Sequence, residues 1–120
     1  MIKSYKDLFI WQKSVDLTVN IYQVTKKYPK SEIFGLISQI RRCCSAIPAN
    51  IAEGQTRGHI LEYKQFLRIA LSSGAELDTH LLISWKIGYI TETEYLKLID
   101  KLTEIMKMIR SLSKNLEPKT

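Results

Sequence analysis

Apolar residues recur at three- and four-residue spacing along four stretches of this chain, and short breaks rich in glycine, proline or threonine separate them. That period predicts helices from about residue 8 to 27, 31 to 53, 60 to 87 and 91 to 116. In the first, Leu8, Trp11, Val15, Val19 and Tyr22 form one stripe, and Ile10, Leu17, Ile21 and Val24 form a second beside it. A bundle core needs only one such stripe. The second, Ile10, Leu17, Ile21 and Val24, is therefore expected to pack between subunits.

Tyr28-Pro29 closes the first helix, because the residue before proline is driven out of helical geometry. In the second, Ile33, Ile37, Ile40, Cys44, Ile47 and Ile51 share one face. Pro48 lies within it and is expected to kink it and free the Cys44 carbonyl. Gly54 to Gly58 reads as a break. The third helix turns Tyr63, Phe66, Leu67, Ala70, Leu77, Leu81 and Trp85 inward. Its small residues Ala70, Ser73 and Gly74 suggest close approach of another backbone, since mid-helix glycine costs about 1 kcal/mol relative to alanine. Thr91 and Glu94 have the spacing of a capping box. The fourth helix sets Leu98, Leu102, Ile105 and Ile109 against an outer face of Lys97, Asp100, Lys101, Glu104 and Lys107. Short links between long helices give an all-α fold, a single antiparallel up-down-up-down four-helix bundle over residues 1–120.

Composition sharpens this only slightly. Eighteen basic against 12 acidic side chains give a net charge of +6, and residues 1–30 hold six lysines but only Asp7 and Asp16. The excess suits an anionic partner such as nucleic acid (RNA or DNA) or a membrane surface. The N-terminus shows no signal-peptide pattern, and no window approaches the roughly 20 apolar residues of a membrane span. A cytoplasmic protein without a membrane partner is expected. Cys43 and Cys44 are adjacent on a helix and cannot bridge each other; they read as reduced core residues.

Tests for chemistry return little. Di-iron bundles need Glu-x-x-His pairs, and none occurs. His59 and His80 lack neighbours at metal-ligand spacing, and there is no phosphate loop or nucleophile elbow. No metal, cofactor or catalytic residue is assigned, and an enzyme is not expected. The second helix carries a more informative stripe of Gln39, Arg42, Asn50 and Glu53, with Ala46 and Ala49 between them. It is either a solvated face, with polar residues pairing to Glu76 or Glu62, or a binding face. In the second case Arg41, Arg42 and Arg57, helped by Lys64 and Arg68, would meet phosphates, for which the planar guanidinium fork is suited.

A family resemblance rests on Ile10-Trp11-Gln12-Lys13, Tyr28-Pro29, Glu32, Gly35-Leu36, Gln39 and Arg41-Arg42. It continues through Ala46-Ile47-Pro48-Ala49-Asn50-Ile51-Ala52-Glu53-Gly54, Arg57, Phe66-Leu67, Ala70 and Gly74-Ala75-Glu76-Leu77. Across about residues 5–115 the chain resembles the bacterial four-helix bundle proteins encoded in intervening sequences of large-subunit ribosomal RNA genes. It departs from the pattern slightly at Ser72-Ser73-Gly74. The resemblance implies a ring-like homopentamer. It also implies kinship with the accessory variability determinant of diversity-generating retroelements, which partners a reverse transcriptase and binds nucleic acid. No activity defines the family. The expectation is a non-enzymatic homo-oligomer that binds RNA with little sequence specificity. The alternative is a protein-interaction scaffold or accessory subunit, for example for a reverse transcriptase, that makes no nucleic-acid contact.

Overall fold

The computed structural model describes residues 3–116, and among them every regular element is helical. α1 spans Phe9–Thr25, α2 Leu36–Arg57, α3 Ile60–Lys86 and α4 Glu92–Asn115, with single 3-10 turns at Tyr5–Asp7 and Lys30–Glu32. Each helix packs on its chain neighbours, and α4 returns to α1. The result is an all-α four-helix bundle, a rod of 51 × 22 × 21 Å. One end gathers the start of α1, the α2–α3 link and the end of α4. The other holds the α1–α2 and α3–α4 links.

The core is a continuous column that includes Ile10, Leu17, Ile21, Ile40, Cys44, Ile47, Ile51, Leu67, Leu77, Leu81, Leu102, Ile105 and Ile109. Burying each Leu or Ile is worth about 1.5–3 kcal/mol. A helix cap contributes about 1 kcal/mol. The buried stripes therefore decide how each helix is turned.

For α1 this reverses the sequence expectation. Ile10, Leu17 and Ile21 line the bundle's own core, so these three do not face another subunit, and Val24 packs half-buried at the core's edge. It is Val19 (51% exposed) and Tyr22 (41%) that face outward, with Val15 half-buried one turn before them. The physical reason is two hydroxyl residues that sit in the core stripe and hide its continuity. Ser14 and Thr25 are both 1% exposed. Each bonds back to its own helix, Ser14 Oγ to the Trp11 carbonyl at 2.9 Å and Thr25 Oγ1 to the Ile21 carbonyl at 2.7 Å. Satisfied in this way, a hydroxyl is cheap to bury.

α2 starts later and ends later than its spacing suggests. Ile33 is outside it and exposed, because Lys30–Glu32 closes a separate 3-10 turn. The Glu32 carboxylate then accepts from the Leu36 amide (3.2 Å) and from the Tyr89 hydroxyl (2.8 Å), so one side chain starts α2 and ties together the two links at that end. The helix is unbroken through Pro48, which is buried. Proline removes the partner of the Cys44 carbonyl. That oxygen faces the Thr18 hydroxyl at 3.5 Å, although Ser14 O, at 2.8 Å, competes for the same proton.

α2 also continues through Gly54 to Arg57. A Cβ on Gly54 would lie 2.9 Å from Phe66 Cβ and 3.0 Å from a Tyr63 ring carbon, so at this glycine α3 packs directly on the α2 backbone. Gly58, with φ +67°, reverses the chain before α3. The small residues of α3 have a different neighbour from the one expected: a Cβ on Gly74 would meet the Met106 thioether of α4 at 2.9 Å, not a backbone. α4 agrees with its sequence throughout, including reciprocal Thr91–Glu94 capping bonds of 3.1 and 2.9 Å.

The two helical glycines should therefore respond oppositely to alanine. At Gly54 the new methyl meets a rigid Cβ, and overpacking of about 1–3 kcal/mol outweighs a propensity gain of about 1 kcal/mol. At Gly74 the flexible end of Met106 can swing aside. Thermal unfolding should show a lowered Tm for Gly54→Ala and an unchanged or raised one for Gly74→Ala.

Candidate nucleic-acid interface

The five basic residues singled out by sequence do not form one patch. Arg41 points toward α1. Its Nε donates to Thr25 Oγ1 at 2.9 Å, a terminal nitrogen lies 3.4 Å from the Tyr22 carbonyl, and the guanidinium stands 4.5 Å from the Tyr22 ring centre. This side chain fastens α2 to the last turn of α1, where the carbonyls carry partial negative charge. It is half-buried and structural.

Arg42, next in sequence, is exposed, and among the described residues its guanidinium bonds only to Gln39 Oε1, at 3.2 Å. Arg57 lies about 22 Å along the helix from it. It sits between two carboxylates, Glu53 Oε1 at 3.1 Å and Glu62 Oε2 at 3.6 Å, and over the Phe66 ring at 5.2 Å. Its charge is thereby locally cancelled. Lys64 is half-buried and already engaged, and Arg68 is exposed on the outer side of α3. The structure thus gathers Arg57, Lys64 and Arg68 toward one end of the α2–α3 pair and leaves Arg42 apart.

The polar stripe of α2 is mostly self-contained. Asn50 donates to the Ala46 carbonyl at 2.7 Å, on its own helix, and Glu53 holds Arg57. Glu76 is exposed on α3, and its charge adds to the environment of the Cys43 thiol across the α2–α3 contact.

Sequence reasoning passed over a second set of cations. The up-down topology brings the chain before α1 to the end of α4, so Lys3 and Lys6 share one end of the rod with Lys107, Arg110 and Lys114. All five are exposed, and none has a carboxylate partner among the described residues. The lysine excess in residues 1–30 is the signal that points to them, once the topology supplies their neighbours.

Other chemistry has little support. Among the described residues no three His, Cys, Asp or Glu side chains stand where they could hold a metal ion. Among the described residues no helix is long and apolar enough to cross a membrane. His80 is half-buried, with Nδ1 lacking a hydrogen-bond partner among the described residues.

Cys43 and Cys44 are both buried and free. Burial pushes Cys43 up to about 12, with the neighbouring Cys44 and then Glu76 adding to it; burial pushes Cys44 up to about 11. A thiolate is the reactive form of cysteine, so neither is poised as a nucleophile. Both thiols should resist a disulfide reagent at pH 8 until the protein is denatured. The linkage has a definite sign. In the unfolded chain the thiols ionise near 9.0 but in the native state only near 11 to 12, so their stabilising contribution is complete below pH 9. Denaturant titrations should show stability falling as pH rises from about 9 toward 11, and Cys43→Ala/Cys44→Ala should flatten that fall.

This arrangement has solved counterparts. A protein of unknown function from the S23 ribosomal protein family of Bacteroides thetaiotaomicron VPI-5482 superposes with a TM-score of 0.81 at 28% identity, covering 88% of this chain and 98% of that one. No curated protein matches. The family model described as 23S rRNA-intervening sequence protein matches residues 6–111, which is nearly the whole bundle. With the four-helix architecture and the Ile-Pro-Ala-Asn-Ile-Ala-Glu-Gly segment of α2, that match places the chain in the 23S rRNA-intervening sequence protein family.

Proposed function

We propose that this protein is a non-enzymatic, self-associating helical bundle that binds RNA or DNA through phosphates, with little regard for sequence. The observation that carries the reading is the set of exposed cations, among them Lys3, Lys6, Arg42, Arg68, Arg110 and Lys114, that have no carboxylate partner among the described residues. A cation already paired gains little from a phosphate, whereas an unpaired one releases the phosphate's counterion on contact.

Self-association has its own support. α1 and α3 are diagonal in the bundle, so their outer faces point away from each other. Both are partly apolar: Val19 and Tyr22 on α1, and Leu82 and Ile83 on α3 with Ile87 just past its end. Contact between two different faces is heterologous, and repeated copies close into a ring when the rotation permits. Joining copies multiplies weak phosphate contacts into useful avidity.

The deciding experiment follows binding of RNA and DNA across a salt series while light scattering reports mass. Affinity should fall steeply with salt. Arg42→Ala/Arg68→Ala should weaken it and reduce the log–log slope by about 1.4 on single strands, at roughly 0.7 per phosphate contact. Mass should exceed the 13.9 kDa of one chain, and Val19→Asp should lower it. A folded protein that binds neither polymer at low salt would sink the nucleic-acid reading. The exposed apolar faces of α1 and α3 would then favour the scaffold reading, with a protein partner docked on them.

A further inference from the structure

We infer that the end of the rod where α1 begins and α4 finishes carries a slot for an unpaired nucleobase, so that the preferred ligand is single-stranded nucleic acid. This rests on the phosphate-binding reading above and gives that reading a location and a strand preference.

A concave site of ≈ 300 Å³ lies between the first turn of α1 and the last turns of α4. Leu8, Phe9, Met108 and Leu112 make it apolar, and Ser111 and Asn115 add hydrogen-bonding groups at its side. Phe9 is 70% exposed, although it stands beside a groove that could have covered it. An aromatic face left open next to polar groups suits a flat heterocycle, which stacks on the ring and offers its edge to an amide and a hydroxyl.

The charges around the slot point the same way. Lys3 and Lys6 lead into α1, and Lys107 and Lys114, two turns apart, stand on the adjoining outer face of α4. Among the described residues, the two carboxylates beside the slot are already occupied. Asp7 accepts from the backbone amides of Lys3 and Ser4, at 2.9 and 3.3 Å, and Glu104 pairs with Lys13 at 3.1 Å. What remains is an open aromatic ring within a cationic rim. A duplex uses such a rim but not the ring, since its bases are stacked on one another; a single strand uses both.

The test compares a labelled oligo-uridylate with an RNA duplex of equal length, on the full chain, with mass recorded alongside. The oligo-uridylate should bind more tightly. Phe9→Ala, a change at an exposed position, should weaken it about tenfold or more and leave the salt slope and the duplex affinity unchanged. Phe9→Trp should restore binding. Lys6→Ala/Lys114→Ala should instead reduce the single-strand salt slope by about 1.4. Equal binding of the duplex, or single-strand binding indifferent to Phe9→Ala, overturns the slot while leaving phosphate binding in place. A drop in mass on Phe9→Ala also overturns it, by making the groove a contact between copies. Failure of both polymers to bind removes the broader reading and the slot with it.

Discussion

The close approach of α2 and α3 at Gly54 sets the geometry on which the rest of the bundle depends. With no side chain there, the Tyr63 and Phe66 side chains can lie directly on the α2 backbone. That contact fixes the antiparallel register of the pair and brings Glu76 near enough to act on the Cys43 thiol. It also sets Phe66 beneath the Arg57 guanidinium. α1 then closes on α2 through Arg41 and Thr25, and the other links are clasped by Glu32 and Tyr89.

Much of this was legible in the sequence, and the misreadings share a cause. The period of apolar residues gave four helices and the orientation of α4, where the buried stripe is entirely apolar and the outer face, Leu96 apart, is polar. It failed in α1 because Ser14 and Thr25 sit in the core and Val19 and Tyr22 sit outside it. A period built on hydrophobicity cannot tell a hydroxyl that bonds to its own helix from one that needs water. It failed again at Gly54, where glycine marks close packing and not the end of a helix.

The candidate site residues were less legible because a cation's availability depends on what stands beside it. Arg41 and Arg42 are neighbours in sequence and opposites in the fold: one fastens α2 to α1, the other faces solvent. Arg57 looked free but lies between two glutamates, one of them on the next helix. The cations at the α1–α4 end are separated by about a hundred residues of chain, and only the topology makes them neighbours. Composition recorded the excess of positive charge without its location. The structure divides it into cations spent on holding the bundle together and cations still open to a polyanion.

The link between α2 and α3 has a consequence for how copies of this chain can combine. Only Gly58 and His59 separate two long helices, and Gly58 makes the reversal by adopting a left-handed backbone that other residues resist. Without it, the cheaper course for the chain would be to carry on as one helix from residue 36 to 86, about 75 Å long. Such a rod would leave its own first half and complete the bundle of a second molecule by domain exchange. One glycine therefore stands at the point where a bundle closed by its own chain parts from one completed by exchange between two.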